Sequence, residues 1–465
     1  TTLHRGFVLE RLAWLVAVAP LDAAERLCGL PGLVLLESAR PGRRARWSYL
    51  AADPLAVLDL ADDGPQPLAS ARRMLARMAA GPFRPTVDGD ALPGWTGGLA
   101  GYLGYDVGRR FERLPSIAVV DQDLPELRLG LYDLVVAWDR RTGAAWLVGR
   151  AVDGEVERLR RRREALVSML QTPPNAATST LPPMPVTFVA DTDRAAFEGM
   201  VEDVRAAIAA GEIYQANVAR RLVAAFDGDP WPVYRRLRTG DPVTHAAYLD
   251  LGQRRALLSA SPEPFLSLDV DGLVATDPIK GTRPRGATPE ADRLLACDLL
   301  SSAKDRAENT MIVDVLRNDL GRVCLRGSVR VPRLCRLERT GAVQHLVSTV
   351  TGRLEPGRDA FDLLAASFPG GSITGAPKIR AMEVIESLEP VRRGPYTGAA
   401  LWIGADGAMG SSILIRSLVA DGRRLTLHVG GGMTWRSDPA EEYAETVAKA
   451  RGPLSALGAV EVSRG

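Results

Sequence analysis

Cysteine and histidine are scarce, with four of each in 465 residues. The cysteines stand at 28, 297, 324 and 335. No two form a Cys-x-x-Cys pair, and none joins a histidine at zinc spacing. A disulfide scaffold is excluded, and a reduced, cytoplasmic chain is expected. Aromatic residues make up only 6%, too few for a base-stacking surface. An excess of charge of one sign is also missing. The 58 basic and 56 acidic residues leave a net charge of +2, so no nucleic acid partner is expected and any basic function is local. Long apolar runs are absent as well. The best candidate, Leu12 to Ala19, is too short to span a bilayer. It follows Glu10, precedes an acidic helix at Asp22 to Arg26, and reads as a core strand. No membrane partner is expected.

What is present is an ordinary globular composition, 46% hydrophobic and 25% charged. Residues 1–170 read as a strand-rich mixed region. Leu127 to Trp138 forms one long strand there, and a charged helix runs over Glu155 to Leu170. A Pro- and Thr-rich linker covers 171–187, and a second region covers 188–465. The second region opens with a helix from Asp193 to Ala210. It continues with a strand at Glu212 to Ala219 and strong helical character over Pro289 to Asn318. Further strands are expected at Ser412 to Leu418 and at Leu425 to Val429, the latter running into Gly430-Gly-Gly432. The last helix spans Glu441 to Leu457.

Pro278-Ile-Lys-Gly-Thr-Arg-Pro-Arg-Gly286 is the most unusual stretch. It follows an expected hairpin at Leu266 to Ala275, so Lys280 leaves the end of a strand in a loop stiffened by two prolines. A lysine held among cations has a depressed pKa and is a nucleophile. Taken alone, the stretch reads more readily as a basic surface turn.

Two helices each carry carboxylates three residues apart. These are Asp305 with Glu308 and Glu442 with Glu445, and Lys449 extends the second face. Four such carboxylates suit a hard divalent ion, and they also suit ordinary surface ion pairing. Gly370-Gly-Ser-Ile-Thr-Gly375 lacks the Lys-Ser/Thr of a Walker loop, which excludes nucleotide binding by that route. This turn and Gly430-Gly-Gly432 still offer N–H groups to an anion. Arg416 suits a carboxylate and His345 a proton transfer. No Ser/His/Asp set and no Gly-x-Cys-x-Gly elbow of a glutamine amidotransferase is visible.

The order of these pieces resembles the chorismate-binding enzymes. The matching stretches are Ile213 to Asn217, Ser261-Pro-Glu263, Pro278 to Arg285, Lys304 to Asn309, and Gln344 to Ser348. They continue with Phe368 to Lys378, Arg393 to Tyr396, Ile415-Arg416 and Gly430 to Lys449, while Leu35 to Ser38 and Gly97 to Gly101 extend the match toward the N-terminus. The resemblance implies an α/β (α+β) fold with large antiparallel sheets, a layered β-α-α-β sandwich. Water-adding members carry a lysine base where Gln215 stands here, so ammonia is implied as the nucleophile. Anthranilate synthases have alanine where Lys280 stands, whereas aminodeoxychorismate synthases have lysine. The resemblance therefore implies component I of the latter branch, with amination of chorismate at C4. Amination at C2 and a non-catalytic chorismate- or tryptophan-binding regulator are the alternatives.

By the same resemblance Lys280 is the nucleophile, Glu263 the acid, and His345 lies in the catalytic site. Glu308 and Glu445 hold Mg²⁺, with Asp305 and Glu442 around it. Gln215, Thr374, Tyr396, Arg416, Gly431, Gly432 and Lys449 face the substrate. A separate glutamine amidotransferase subunit supplies ammonia. Glu37, Ser38, Arg46 and Tyr248 lie where relatives bind tryptophan. Pro264, where the family carries arginine, and Met409-Gly-Ser-Ser412 depart from the pattern.

Overall fold

The computed structural model describes residues 2–4, 6–41, 45–60, 68–79, 92–173, 186–339, 341 and 343–462. Of the expected linker, residues 174–185 lie outside the described residues. Two large sheets dominate, one of 14 strands and one of 10. Nearly all pairings are antiparallel, and Thr187–Ala190 beside Val460–Val462 is a parallel exception. The α+β class with large antiparallel sheets is therefore found.

Alternation of side chains gives each sheet two apolar faces. One face of each sheet meets the other sheet. Leu9, Val34, Tyr49 and Leu249 of the first sheet pack with Ala100, Tyr102 and Ala400 of the second. The outer face of the first sheet packs on helices that bring Leu159, Trp231 and Leu454. The outer face of the second packs on helices that bring Ile312, Leu316, Phe361 and Leu364. The layers thus run helix, sheet, sheet, helix, so the sheets rather than the helices meet at the centre. No helix among the described residues is long and apolar enough to cross a membrane.

Both sheets draw strands from either side of residues 171–187. Val34–Glu37 pairs with His245–Gly252, and Gly98–Leu103 pairs with Ala399–Gly404. The sequence boundary therefore does not separate two folded units.

Three local expectations are corrected, and the helical one over 289–318 is found with a break. Leu12 to Ala19 is not a strand. The strand is Phe7–Arg11, and Ala13–Ala17 forms a 3-10 helix that buries Leu15 and exposes Trp14 and Val16. Leu127 to Trp138 is two strands, Leu127–Tyr132 and Leu134–Asp139, one in each sheet. Ser412 to Leu418 likewise splits between Met409–Ile413 and Ser417–Asp421. The helical stretch 289–318 breaks at Ser302, whose extended backbone ends Pro289–Ser301. Its side chain accepts a bond from Asp305 N and starts Ala303–Gly321.

Candidate active site

Lys280 does not sit in a loop. It lies in the strand Ile279–Pro284, paired to Val343–Arg353 opposite Leu346. The register slips between Lys280 and Thr282, and Gly281 takes φ +73° there. This bulge re-aims the lysine. A Cβ on Gly281 would lie 3.0 Å from that of Asp305, so only glycine lets the strand pass the helix Ala303–Gly321 so closely.

Lys280 Nζ stands 2.9 Å from Glu308 Oε1, on that helix, with the lysine side chain 13% exposed. The expected depressed pKa is not found. Burial, the largest single influence, does push the amine down, but Glu308, Glu263 and Glu445 together raise it. The expected cationic neighbours are also absent from the amine. Arg283 pairs with Asp298 and Asp305, and Arg285 with Asp292.

Glu263 stands in the turn between Arg255–Ser261 and Pro264–Leu268 and is buried. Burial pushes its carboxyl above the ordinary range, against the opposing pull of Lys280 and a bond from Ser372. A shift in that direction suits a proton donor.

Gly430, Gly431 and Gly432 belong to the strand Arg424–Met433 rather than to an open turn, and they pair with Ala219, Val218 and Asn217. Their value is space. A Cβ on Gly432 would lie 2.2 Å from Gln215 Nε2 and 2.8 Å from Glu308 Oε1. One on Gly431 would lie 3.4 Å from both Glu445 Oε1 and Lys449 Nζ. The two carboxylate helices thus converge on neighbouring glycines of one strand. Lys449 Nζ meets Glu445 at 2.6 Å and donates to Gly430 O at 2.7 Å. Burial pushes Glu445 up, but Lys449, Lys304 and Lys280 outweigh it and hold the carboxyl low. Glu442 is raised by burial, although Ser437 donates to it at 2.6 Å. Asp305 faces Arg283.

Among the described residues no three His, Cys, Asp or Glu side chains are grouped closely enough to hold a metal ion. The donors that do converge, Glu308 and Glu445, are both carboxylates. They fit a hard divalent cation whose other positions are taken by water and substrate oxygens.

Gln215 begins the strand Gln215–Ala225 and is fully buried; its Nε2 donates to Asn217 Oδ1 at 3.1 Å and Glu308 Oε1 at 3.2 Å. Thr374 is buried, and its hydroxyl donates back to Gly370 O at 3.0 Å. Tyr396 is buried and stacked on His428 with ring centroids 4.9 Å apart. Arg416 sits in the crossover between the two sheets with φ 51°, half-buried and with no carboxylate partner among the described residues. His345 is buried, with Nδ1 2.9 Å from the Thr282 hydroxyl. Burial, with Arg416 adding to it, pushes its imidazole down to about 4, so the ring is neutral.

Two structural groups of this region carried no signal beyond their place in a motif. One is Asn217, whose Nδ2 donates to Ser372 O at 2.7 Å. The other is Arg393, fully buried, which donates to Glu389, Ile373 O, Thr397 and Asn217 O. Glu389 and Thr397 lie four residues either side of Arg393, but Ile373 O, Asn217 O and, for Asn217, Ser372 O come from far along the chain, which the sequence does not display.

A separate cavity of about 780 Å³ opens between the sheets, with Glu37, Ser38, Arg46, Trp47, Tyr49 and Trp402 among its walls. Glu37 is tied to Arg238 and Arg46 to Asp139. Tyr248 does not reach it. That ring packs in the outer core, 5.0 Å from Trp231 and 5.3 Å from Tyr234, because it points to the opposite face of its strand. Pro264, Ser411 and Ser412, which depart from the family pattern, line this cavity.

Comparison with known proteins identifies the family. The family model described as chorismate binding enzyme matches residues 33–455. Anthranilate synthase component 1 of Streptomyces coelicolor is 39% identical over 99% of this chain and 89% of its own length. Aminodeoxychorismate synthase component 1 of Klebsiella aerogenes is 45% identical over 76% of this chain and 75% of its own length. The crystal structure of anthranilate synthase component I from Streptococcus pneumoniae superposes with a TM-score of 0.78 at 30% identity, covering 89% of this chain and 93% of that one. The chain belongs to the chorismate-binding enzyme family.

Proposed function

We propose that this chain aminates chorismate at C4 with ammonia, giving 4-amino-4-deoxychorismate. The observation that carries this reading is the buried Lys280 amine, set against Glu308 and in the field of the buried acid Glu263. Nζ attacks C2, both ring double bonds shift, and the C4 hydroxyl leaves as water with the proton of Glu263. Glu263 regains a proton from the alkylated Nζ. Ammonia then bonds to C4 while the C2–Nζ bond breaks; Glu263 returns its proton to the departing Nζ, which leaves as a neutral amine, and the new C4 ammonium gives a proton back to Glu263. Net, chorismate and ammonia become the amine and water.

The pair with Glu308 keeps Nζ protonated, so attack requires that pair to open and Nζ, on a side chain 13% exposed, to release its proton to solvent, after which burial favours the neutral amine. Glu308 and Glu445 would hold a divalent cation such as Mg²⁺, which would supply positive charge to draw electrons from the diene through the ring carboxylate. Arg416 and Tyr396 suit the enolpyruvyl carboxylate, and Lys449 with Gly431 and Gly432 the ring carboxylate. Support for a separate amidotransferase subunit as the ammonia source comes from relatives named as component 1 of a synthase.

Amination at C2 is the second reading, favoured by the relative named anthranilate synthase. The full chain, incubated with chorismate, Mg²⁺ and ammonium, is expected to yield non-fluorescent 4-amino-4-deoxychorismate, and a mass adduct at Lys280 is expected when ammonium is withheld. Fluorescent anthranilate as the main product would sink the C4 reading. For the cavity lined by Glu37, Ser38 and Arg46 we propose tryptophan as ligand. Added tryptophan is expected to raise the melting temperature, and an unchanged melt would remove it.

A further inference from the structure

We propose that the edge strand Arg330–Arg339 docks an extended acidic segment of a partner protein. The chain as a whole is balanced, with 58 basic and 56 acidic residues. Between positions 322 and 339, however, six arginines stand against one acidic residue, Glu338. Among the described strands this one pairs only with Val343–Arg353, so its other edge is open. Arg330, Arg333 and Arg336 are three residues apart, a spacing that on a regular strand would put neighbours on opposite faces. Two register shifts, one between Arg330 and Arg333 and one between Arg333 and Arg336, remove that offset. The three arginines lie opposite Thr351, Thr349 and Val347, which share one face of the neighbouring strand. Ser348, on the other face, bonds Asn309 of the helix Ala303–Gly321.

The arginines therefore form a row on the side away from that helix, about 7 Å apart, and all three are exposed. Little holds them in place. Arg330 donates to Val329 O, its own neighbour, at 3.1 Å. Arg333 reaches Glu338 at 3.8 Å with 48% of its side chain exposed. Arg336 pairs with no carboxylate among the described residues. An extended segment with a carboxylate at every second position repeats at the same interval of about 7 Å, so its charges meet the row in register. A second copy of this strand would set arginine against arginine, and the edge repels it. A nucleic acid strand would find no stacking platform, because the strand carries no aromatic residue. Its exposed apolar residue is Leu334, which suits an apolar side chain standing between carboxylates.

The probe is a short capped peptide with glutamate at alternate positions, followed by fluorescence anisotropy as the full chain is titrated in at about 0.15 M salt. It is expected to bind, and a peptide of the same composition with its glutamates in one block is expected to bind about fivefold or more weakly. Combining Arg330→Gln, Arg333→Gln and Arg336→Gln is expected to weaken the alternating peptide by about tenfold or more, with an unchanged melting temperature, and Arg333→Gln alone by about threefold. Arg160→Gln with Arg161→Gln, on an exposed helix elsewhere, is expected to stay within about twofold of the wild type. No binding of the alternating peptide to the wild type overturns the proposal and leaves the arginines as a guard against edge pairing. Equal binding of the two peptides, or an equal loss in the helix variant, overturns it by reducing the effect to net charge. Tighter binding of a single-stranded oligonucleotide of the same charge overturns the class of partner.

Discussion

Lys280 Nζ and Glu308 Oε1 face each other at 2.9 Å across the groove between a bulged strand and a helix. Each answers the charge of the other, and in the proposed reaction the pair is the state from which attack would begin. Lys280→Ala is expected to reduce C4 amination by at least about a thousandfold, since the nucleophile is gone. The melting temperature should move little, because Glu308 still receives the Gln215 bond. Steady-state rates beside a thermal melt check this, and retained amination would remove the covalent role.

The two glycines beside the carboxylates should respond differently to a methyl group. In Gly432→Ala the new Cβ would lie 2.2 Å from Gln215 Nε2 and 2.7 Å from Asn217 Oδ1, so the site must distort. In Gly431→Ala the nearest contacts are 3.4 Å, within ordinary packing. Turnover is expected to fall by about a hundredfold or more in the first and by less than about tenfold in the second. Measured kcat/KM values for the two variants decide it.

Arg393 and Glu389 form a buried pair, with contacts of 2.6 and 2.8 Å. Burial would push Arg393 down, but Glu389 outweighs it and holds the guanidinium charged. Arg393→Met leaves a buried carboxylate and should cost about 3–5 kcal/mol of stability. Adding Glu389→Gln should recover part of that loss. Urea unfolding of the single and double variants reads both.

Acid should weaken the fold through its buried imidazoles. His345 is pushed from the usual 6.5 down to about 4 by burial, with Arg416 adding to it and Glu338 opposing. Between those two values the unfolded chain binds a proton that the folded chain refuses. Stability is therefore full above about pH 6.5 and falls as pH drops toward about 4, by up to about 3 kcal/mol from this residue. His428, also held low by burial, acts in the same direction. Urea midpoints at about pH 7 and about pH 5 should differ less in His345→Gln than in the wild type.

Much of the site was legible because its residues lie in short motifs with local spacing. Asp305 with Glu308 and Glu442 with Glu445 repeat at one helical turn, and the structure does place both pairs on helices that converge on Gly431 and Gly432. Legibility failed where three-dimensional context overrode local pattern. The lysine loop is a strand because it pairs with residues near His345, about sixty positions away. The long apolar run through Asp133 reads as one strand, but it changes sheet there, and period-two alternation is the same on both sides. The direction of the Lys280 shift was missed for a similar reason. Nearby arginines are visible in sequence, whereas the carboxylates that pair them away, and those that face the amine, come from elsewhere in the fold.

The sharing of both sheets between distant parts of the chain has a consequence for how the molecule is made. Gly98–Leu103 must wait for Ala399–Gly404, and Val34–Glu37 must wait for His245–Gly252. The strand that carries the site glycines, Arg424–Met433, closes the gap between Gln215–Ala225 and Ser417–Asp421. The first sheet is incomplete before Arg424–Met433 leaves the ribosome and the second before Met409–Ile413 does, so early strands spend synthesis with open edges. Such distant pairings make folding slow and post-translational, and a chain released early would expose edges suited to aggregation.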